Sequence, residues 1–332
     1  MSTVSILAGV ALLCWVVFDV FLTVFAIGGG AGPQTGLLAE RAWRLALRLH
    51  EPTSARSHSV LRCAGPIILL LILVTWITEL IFAWSFIYVP TAFVEDSQPV
   101  GFQDRLIFGA RMVVGRGTNS TALQPTDGVW DFMNSFGGLT GVTFVSLGLA
   151  YVLPVLAGVA HKRSVATHLN TLGNSVESIR EMVDEAEGGG QIAWHLETLT
   201  TSIATTAERH RSYPVLHYFH SADPHAALAP AMAKLVVLVE GGLPSATSVD
   251  ATVTRPLARA LHDLLGALQH MGLERFALDH PGLARSDLEE VGIEPLSSRI
   301  TGVPSIDWMR AYVAFDGWEW AIVTEPDAYL DE

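Results

Sequence analysis

Charged side chains are scarce in this chain. Only 16% of its 332 residues are Asp, Glu, Lys or Arg, and half are hydrophobic. Soluble proteins carry about 25% charged residues, so the composition excludes an ordinary soluble protein and predicts a membrane part joined to a soluble part. Basic residues are fewer than acidic ones, with 20 Lys and Arg against 33 Asp and Glu. The net charge of −13 argues against nucleic acid as a partner, because nucleic-acid binding needs a basic face.

Cysteines and catalytic motifs are also scarce. The chain has two cysteines, Cys14 and Cys63, which lie in or beside apolar runs and are therefore predicted to be buried thiols rather than a disulfide framework. There is no Ser-His-Asp or Cys-His constellation, no phosphate-binding loop and no strand followed by Gly-x-Gly-x-x-Gly. We therefore predict that the protein is not an enzyme and has neither a cofactor nor a metal ion.

Long apolar runs are the main feature that is present. A membrane-spanning helix needs about 20 apolar residues, and three stretches qualify, at residues 4–27, 64–89 and 132–160. The glycine-rich residues 28–33 are typical of a flexible break and not of a signal-peptide cleavage site, so the first run is predicted to remain as a span. The pattern predicts an all-α membrane protein with three transmembrane helices.

Basic residues give the predicted orientation. Arginines are frequent between the first and second runs, and His161, Lys162 and Arg163 follow the third. Short loops rich in Lys and Arg stay in the cytoplasm, so the amino terminus is predicted outside and the long carboxy-terminal region is predicted to be cytoplasmic. Residues 36–50 are predicted to form an amphipathic helix. It either lies in the headgroup layer with its arginines toward anionic lipid or packs on the protein itself.

The segment between the second and third runs contains a short apolar stretch, Leu106 to Val114, that cannot cross a membrane. It begins after Asp104, a favourable residue for the first turn of a helix. It leads into Gly115 and Gly117, which permit backbone conformations closed to other residues. Non-helical backbone at membrane depth must be buried in protein or line water. The pattern therefore predicts a re-entrant pore helix and loop, with several chains around one axis.

The residues around this segment are similar to those of a known family. Phe102, Asp104, Leu106 and Phe108 match the pattern aromatic-x-Asp-x-Leu-x-Phe, and the motifs at 147–156, 168–173 and 213–221 match its later helices. On these residues the chain resembles the bacterial two-span potassium channels, in a branch with an extra amino-terminal span and a helical cytoplasmic domain. The resemblance implies a homotetramer in the bacterial plasma (inner) membrane, in contact with membrane lipid, that passes a monovalent ion.

The filter implied by the resemblance departs from the family pattern. The predicted pore and filter residues, where the family has Thr-Val-Gly-Tyr-Gly, are Val113, Val114, Gly115, Arg116, Gly117 and Thr118. Without a gap in the pore helix, residues 117–120 take the filter position instead. Four copies of Arg111 and Arg116 near one axis would exclude a potassium ion, since unit charges about 4 Å apart interact by roughly 4 kcal/mol at an effective dielectric of 20.

Three outcomes are open for these arginines. They pair with acids such as Asp104, Glu95, Asp96 or Asp127, they make the site accept anions, or the loop collapses and conducts nothing.

Two acids and three helix-modifying residues stand out within the apolar runs. Asp19 and Glu79 are either parts of an ion or proton relay or hydrogen-bonded contacts that fix helix packing. No second acid lies one helical turn from either, which favours packing. Gly141, Gly148 and Pro154 predict a gate-forming inner helix with a hinge, or, in the alternative, small-residue packing in a membrane bundle.

The carboxy-terminal region is predicted to be helical at residues 176–186, 192–210, 226–240, 253–271 and 285–291. His217 and His220 lie near Asp223 and His225, so they either bind a transition metal or form a packed turn with neighbouring aromatic residues. We predict an amino-terminal span (1–35), an amphipathic linker helix (36–63), a pore domain (64–163) and a cytoplasmic domain (164–332). The predicted function is that of a potassium-channel-like pore protein, and the alternative is a non-conducting membrane scaffold or sensor on the same fold.

Overall fold

Helices make up the regular structure of the described chain. The computed structural model describes residues 2–26, 30–50, 55–88, 101–115, 128–185, 190–240, 251–268, 273, 276 and 306–324, and no strand occurs among them. The helices are α1 (Ser2–Phe25), α2 (Pro33–Arg48), α3 (Ala55–Ile87), α4 (Phe102–Val113), α5 (Gly128–Asn170), α6 (Val176–Glu185), α7 (Gly190–Ser212), α8 (Leu228–Glu240), α9 (Ala251–Leu268), α10 (Ile306–Phe315) and α11 (Ala321–Thr324). Two 3₁₀ turns, η1 (Pro214–Tyr218) and η2 (Pro224–Ala226), lie between α7 and α8.

Three of these helices are long and apolar enough to cross a membrane. The qualifying stretches are Thr3–Phe25 in α1, His58–Ile87 in α3 and Gly128–Asn170 in α5, which confirms the three predicted apolar spanning helices. Two of the helices extend beyond the predicted limits, because α3 begins at Ala55 and α5 continues to Asn170. Apolar content marks only the part suited to lipid, whereas the helix itself continues where polar residues support it. Pro66 and Pro154 lie inside α3 and α5 without ending them.

The chain divides into two compact units. The first unit contains residues 1–26, 31–35 and 69–154, and the second contains residues 27–30, 36–68 and 155–332. Thus α3 and α5 each contribute to both units, and α5 changes unit directly after Pro154. Most of α2 and the start of α3 belong to the same unit as the carboxy-terminal helices. The four predicted domain limits remain a prediction.

The second unit is built around α8, whose residues Leu228–Val239 are apolar and mostly buried. A helix that is apolar on all sides must be covered on all sides, and α8 contacts α6, α9, α10 and α11. The helices predicted at 176–186, 192–210, 226–240 and 253–271 correspond to α6, α7, α8 and α9. The helix predicted at 285–291 lies outside the described residues.

The prediction of buried cysteines is wrong. Cys14 on α1 and Cys63 on α3 are free and exposed. Each lies within an apolar sequence but on the outer face of its helix, and in a membrane protein an apolar face can be covered by lipid rather than by protein. Apolar neighbours in sequence therefore did not imply burial in the protein.

Candidate functional site

The short helix α4 is the candidate site, and its length sets what it can do. Twelve residues rise only about 18 Å, which is well short of the ~30 Å hydrocarbon core of a bilayer. At the start of the helix, the Asp104 carboxylate accepts a hydrogen bond from the backbone N–H of Gly101 at 3.1 Å. A negative charge at this end also complements the helix dipole. Asp104 therefore stabilises the start of α4.

One side of α4 packs tightly on α3. Gly109 permits the approach, since a Cβ atom there would lie 2.8 Å from Ser85 Oγ and 3.2 Å from the Ile81 carbonyl oxygen. The rings of Phe108 and Tyr88 meet edge to face at 5.2 Å. All of these contacts lie within the first compact unit. Phe108 and Tyr88 belong to a buried apolar cluster there.

The other side of α4 packs on the first part of α5, again at glycines. A Cβ atom at Gly141 would lie 2.0 Å from the Val113 carbonyl oxygen, and one at Gly137 would lie 2.5 Å from Met112. Trp84 of α3 donates a hydrogen bond to Thr140 Oγ1 of α5 at 3.0 Å, which ties the two long helices together beside α4. A helix too short to cross a membrane is thus held between two helices that are long enough.

The predicted hinge residues of α5 take part in this packing. Gly141 contacts the end of α4, and a Cβ at Gly148 would lie 3.0 Å from the Leu73 side chain of α3. Both glycines therefore occupy close helix contacts, the arrangement expected for small-residue packing. Pro154 lies within an uninterrupted α5. A gating role for these three residues remains a prediction.

The chain leaves α4 through a tight turn. Val113 is the last residue of α4 and is buried, whereas Val114 is 62% exposed. The backbone N–H groups of Val114 and Gly115 donate to the carbonyls of Ala110 and Met112 at 3.0 Å. Gly115 has φ +75°, in the left-handed region that favours glycine.

The rest of the predicted filter, Arg116, Gly117 and Thr118, lies outside the described residues, as do Glu95, Asp96 and Asp127. Arg111 lies on α4 and is half-buried. The roles predicted for these residues remain predictions.

Asp19 lies at the centre of a second polar constellation in the first unit. Its side chain is fully buried. One carboxylate oxygen accepts the N–H groups of Gln34 and Thr35 at 2.9 and 3.2 Å, and the other accepts the Thr35 hydroxyl at 2.5 Å and Trp76 Nε1 at 3.0 Å. Gln34 and Thr35 form the first turn of α2, whose N–H groups have no partner within the helix. Asp19 thus caps α2 from within α1.

Glu79 is linked to Asp19 through Gln34. The side-chain amide of Gln34 donates to Glu79 Oε1 and its carbonyl accepts from Trp15 Nε1, while the Gln34 backbone donates to Asp19. Both acids thus form contacts between helices, and a role in an ion or proton relay remains a prediction. The sequence indicated no acid close to either, because the structure joins them across different helices. One feature of the sequence did indicate such a contact. The residues at the start of α2, Gly32 and Pro33, have no side chain that could cap the helix. The N–H groups of its first turn therefore needed an acceptor from another part of the chain.

The linker helix α2 packs on the protein with one face and exposes the other. Trp43 is fully buried, its ring meets Tyr218 at 5.8 Å and its Nε1 donates to the Phe315 carbonyl at 3.1 Å. One face of α2 therefore packs within the second unit. The outer face exposes leucines alternating with arginines, namely Leu37, Arg41, Leu45 and Arg48. Packing on the protein is therefore observed, and contact of the outer face with lipid remains a prediction.

The histidine-rich turn is packed. His217 is fully buried and stacks on the Phe315 ring at 4.4 Å, with the planes 17° apart. No group of three or more His, Cys, Asp or Glu side chains suited to a metal ion occurs among the described residues. The geometry of the turn is that of the aromatic-histidine interpretation.

Comparison with known proteins gives one informative match. The chain is 27% identical over 220 residues to the uncharacterized membrane protein YdjJ of Bacillus subtilis (strain 168), and the match covers 65% of this chain and 63% of that protein. The matched region thus spans less than two thirds of that relative's length. The chain is a membrane protein, as this match and its three long apolar helices indicate. No protein-family description and no solved structure matches, so the channel assignment is a proposal.

Proposed function

We propose that the protein is a potassium-channel-like pore protein that assembles as a homotetramer and passes a monovalent ion. The observation that carries the proposal is α4, a helix too short to cross a membrane that is packed between α3 and α5. Non-helical backbone that follows such a helix at membrane depth must be buried or line water. One such loop per chain cannot enclose a pore alone, and fourfold assembly around an axis supplies the remaining wall.

The proposed setting is the bacterial plasma membrane, with the amino terminus outside and the second compact unit in the cytoplasm. The basic residues that support this orientation lie beside the spans, with Arg41 and Arg48 after α1 and Arg163 near the end of α5. Short loops rich in Lys and Arg stay in the cytoplasm. Membrane lipid is the proposed partner of the outer surfaces. A groove of about 280 Å³ between α1 and α5 supports contact with lipid. Its lining is apolar and includes Val17, Phe21, Leu139 and Phe144. A groove of this kind can accept an acyl chain.

The end of α4 restricts which backbone carbonyls can contribute to a filter. A potassium filter needs backbone carbonyls directed at the ion. The Ala110 and Met112 carbonyls accept hydrogen bonds within the turn, and the Val113 carbonyl packs on Gly141. Of the predicted filter residues, Val113 therefore directs its carbonyl at α5 and not at an ion. In a conducting assembly the coordinating carbonyls belong to residues after Val113, which both registers supply.

The same carbonyls favour a second candidate function, a non-conducting scaffold or sensor. The described part of the predicted filter forms a helix end and a turn, not an extended row of carbonyls. A protein that kept the channel architecture for assembly alone would lose nothing by this change.

A flux assay separates the two functions. Purified protein is reconstituted in liposomes, and the decay of potassium, sodium and chloride gradients is followed at several pH values and membrane potentials. A channel dissipates at least one gradient faster than protein-free vesicles do, and native mass spectrometry shows four chains. If no gradient decays faster, the scaffold is supported instead.

Replacing Arg116 refines the result. Arg116→Tyr removes a proposed cationic barrier, so cation flux should rise if the arginine faces the axis. If the arginine is instead an ion-pair partner, the tetramer should weaken without any gain in flux. Arg163→Gln, an exposed arginine on α5, is the matched control and should change neither property.

A further inference from the structure

The carboxyl end of α10 is bonded by side chains from distant parts of the chain. Trp43 Nε1 donates to the Phe315 carbonyl at 3.1 Å, His220 Nδ1 to the Asp316 carbonyl at 2.8 Å and His50 Nε2 to the Gly317 carbonyl at 2.7 Å. The last carbonyls of a helix have no partner within it and carry a partial negative charge. Side chains from α2, from the residues just after it and from the segment after η1 therefore bond the last carbonyl of α10 and the two carbonyls that follow it.

The residue that follows α10 also reaches the far end of α5. The Asp316 carboxylate lies 3.8 Å from Lys162 Nζ, and both side chains are almost fully buried. The same ammonium group donates to the Phe219 carbonyl at 2.9 Å. A buried charge is strongly disfavoured without a partner, so Lys162 places the end of α5 against this segment.

A pair of histidines brings α3 to the same point. A carbonyl can only accept, so His220 must carry its proton on Nδ1, which donates to the Asp316 carbonyl. Neutral His220 then accepts at Nε2, and His58 Nδ1 of α3 is the donor at 3.0 Å. His58 also stacks on the Trp318 ring at 4.0 Å.

Gly317 makes the close approach possible. Its φ is +86°, a region that strongly favours glycine, and a Cβ atom there would lie 2.5 Å from the Leu61 side chain of α3. The turn after α10 therefore fits against α3 only with a glycine at this position.

We propose that residues 306–318 are a tail clamp, a conformational device that fixes the ends of α2, α3 and α5 to one another within the second unit. All three helices also contribute residues to the first unit, so the clamp determines how the ends of the membrane helices are held. The proposal goes beyond ion passage and applies equally to a channel and to a scaffold.

Polar groups without partners make the clamp releasable. Among the described residues, Tyr312 Oη and both ring nitrogens of His217 have no hydrogen-bond partner, and the Asp316 carboxylate has only the Lys162 ammonium group, 3.8 Å away. Each buried polar group of this kind costs free energy that the docked state must offset. A purely structural core would be expected to fill these positions with apolar side chains. The docked state is therefore less stable than the burial of its apolar side chains alone would make it.

The test compares single and double variants of full-length protein in lipid nanodiscs by hydrogen exchange. Lys162→Met leaves Asp316 buried without its cation, and exchange at residues 36–48 and 155–170 should rise about tenfold or more, with α7 and α9 unchanged. Adding Asp316→Leu removes both charges and should return exchange to within about threefold of the wild type. Asp307→Asn, in the first turn of α10, is the control and should have no effect.

A milder variant tests the proposal if Lys162→Met does not fold. Trp43→Phe removes the bond to the Phe315 carbonyl together with part of the buried ring, so it should raise exchange at residues 36–48 by a few-fold and leave α7 and α9 unchanged. The proposal is overturned if exchange rises only at 306–324, if it rises equally throughout the second unit, or if Trp43→Phe and Asp307→Asn have the same effect.

Discussion

At the scale of single residues, Asp19 supplies the cap that the start of α2 lacks. A buried carboxylate in an apolar helix is costly unless hydrogen bonds satisfy it, and this one accepts bonds from two backbone amides, a hydroxyl and an indole. The arrangement resembles an N-cap, except that the acceptor comes from a different helix. The acid thus joins α1 to α2 without requiring an ion.

Replacing Asp19 should therefore destabilise the protein in proportion to the acceptors that are lost. Asp19→Ala leaves two backbone amides and the Trp76 indole without an acceptor, at about 1–3 kcal/mol for each buried group. Asp19→Asn keeps one carbonyl oxygen and should lie between the wild type and Asp19→Ala. Thermal unfolding in detergent micelles measures the order. Exposed Asp131→Asn is the control, and equal melting temperatures for all variants would contradict the capping role.

At the scale of elements, the position of α4 depends on the glycines that face it. A Cβ at Gly141 would lie 2.0 Å from the Val113 carbonyl oxygen, whereas a Cβ at Gly138 meets its nearest atom, the Met112 carbonyl oxygen, at 3.8 Å. Both positions lie on α5, but the space for an added methyl group differs between them. Alanine substitutions at the two positions therefore distinguish the effect of packing from that of helix propensity.

Alanine at each position should have opposite effects. Gly141→Ala must displace α4 and should cost about 1–3 kcal/mol, as overpacking usually does. Gly138→Ala meets only ordinary contact and should be neutral or stabilising by up to about 1 kcal/mol, because alanine favours helix. Melting temperatures in detergent provide the comparison. The packing described for α4 would be wrong if Gly141→Ala were as stable as Gly138→Ala.

Elements that depend on local pattern could be predicted from the sequence. The apolar runs gave the three long helices, and helical periodicity gave α6 to α9, because both signals are contained in neighbouring residues. The contacts of Asp19 could not be predicted in this way, since its partners Gln34 and Trp76 lie on other helices. The docking of α10 on α2 could not be predicted either, because no local sequence pattern indicates which distant carbonyl will accept a hydrogen bond from Trp43.

At the scale of the whole molecule, the second unit contains several buried neutral histidines. Burial and the nearby Lys162 charge lower the pKa of His210 to about 3 and place that of His217 well below its ordinary value. Burial, followed by the neighbouring His58, lowers the pKa of His220 to about 3. In the opposite direction, burial raises the pKa of Asp316 to about 6 despite its lysine partner.

These shifts predict that acid destabilises the second unit. As pH falls from 6.5 towards 3, the unfolded chain binds protons at the three histidines while the folded chain does not. Between pH 6 and 4 folded Asp316 takes up one proton, which offsets one of the three. Unfolding therefore takes up about two protons, and stability should fall by roughly 3 kcal/mol per pH unit.

A single substitution tests the source of this dependence. His217→Phe removes one titrating group, and the His217 ring nitrogens have no hydrogen bond to any residue that the structure describes. Stability at pH 7.5 should be equal or higher, and the loss per pH unit between 6 and 4 should shrink by about 1.4 kcal/mol. Denaturant unfolding followed across this pH range gives both quantities. An unchanged pH slope would show that His217 is not a buried neutral group.

The bond between Trp43 and Phe315 joins residues 272 positions apart in the chain. At roughly 5–20 residues per second, a ribosome needs roughly 15–55 s to make the second partner after the first. Throughout that time Trp43 and His50 have no carbonyls to bond, and Lys162, once made, has no aspartate. A message that ends before codon 306 would leave these side chains exposed permanently. Residues 306–317 thus reach their partners only late in synthesis, after α2, α5 and α8 have all been made.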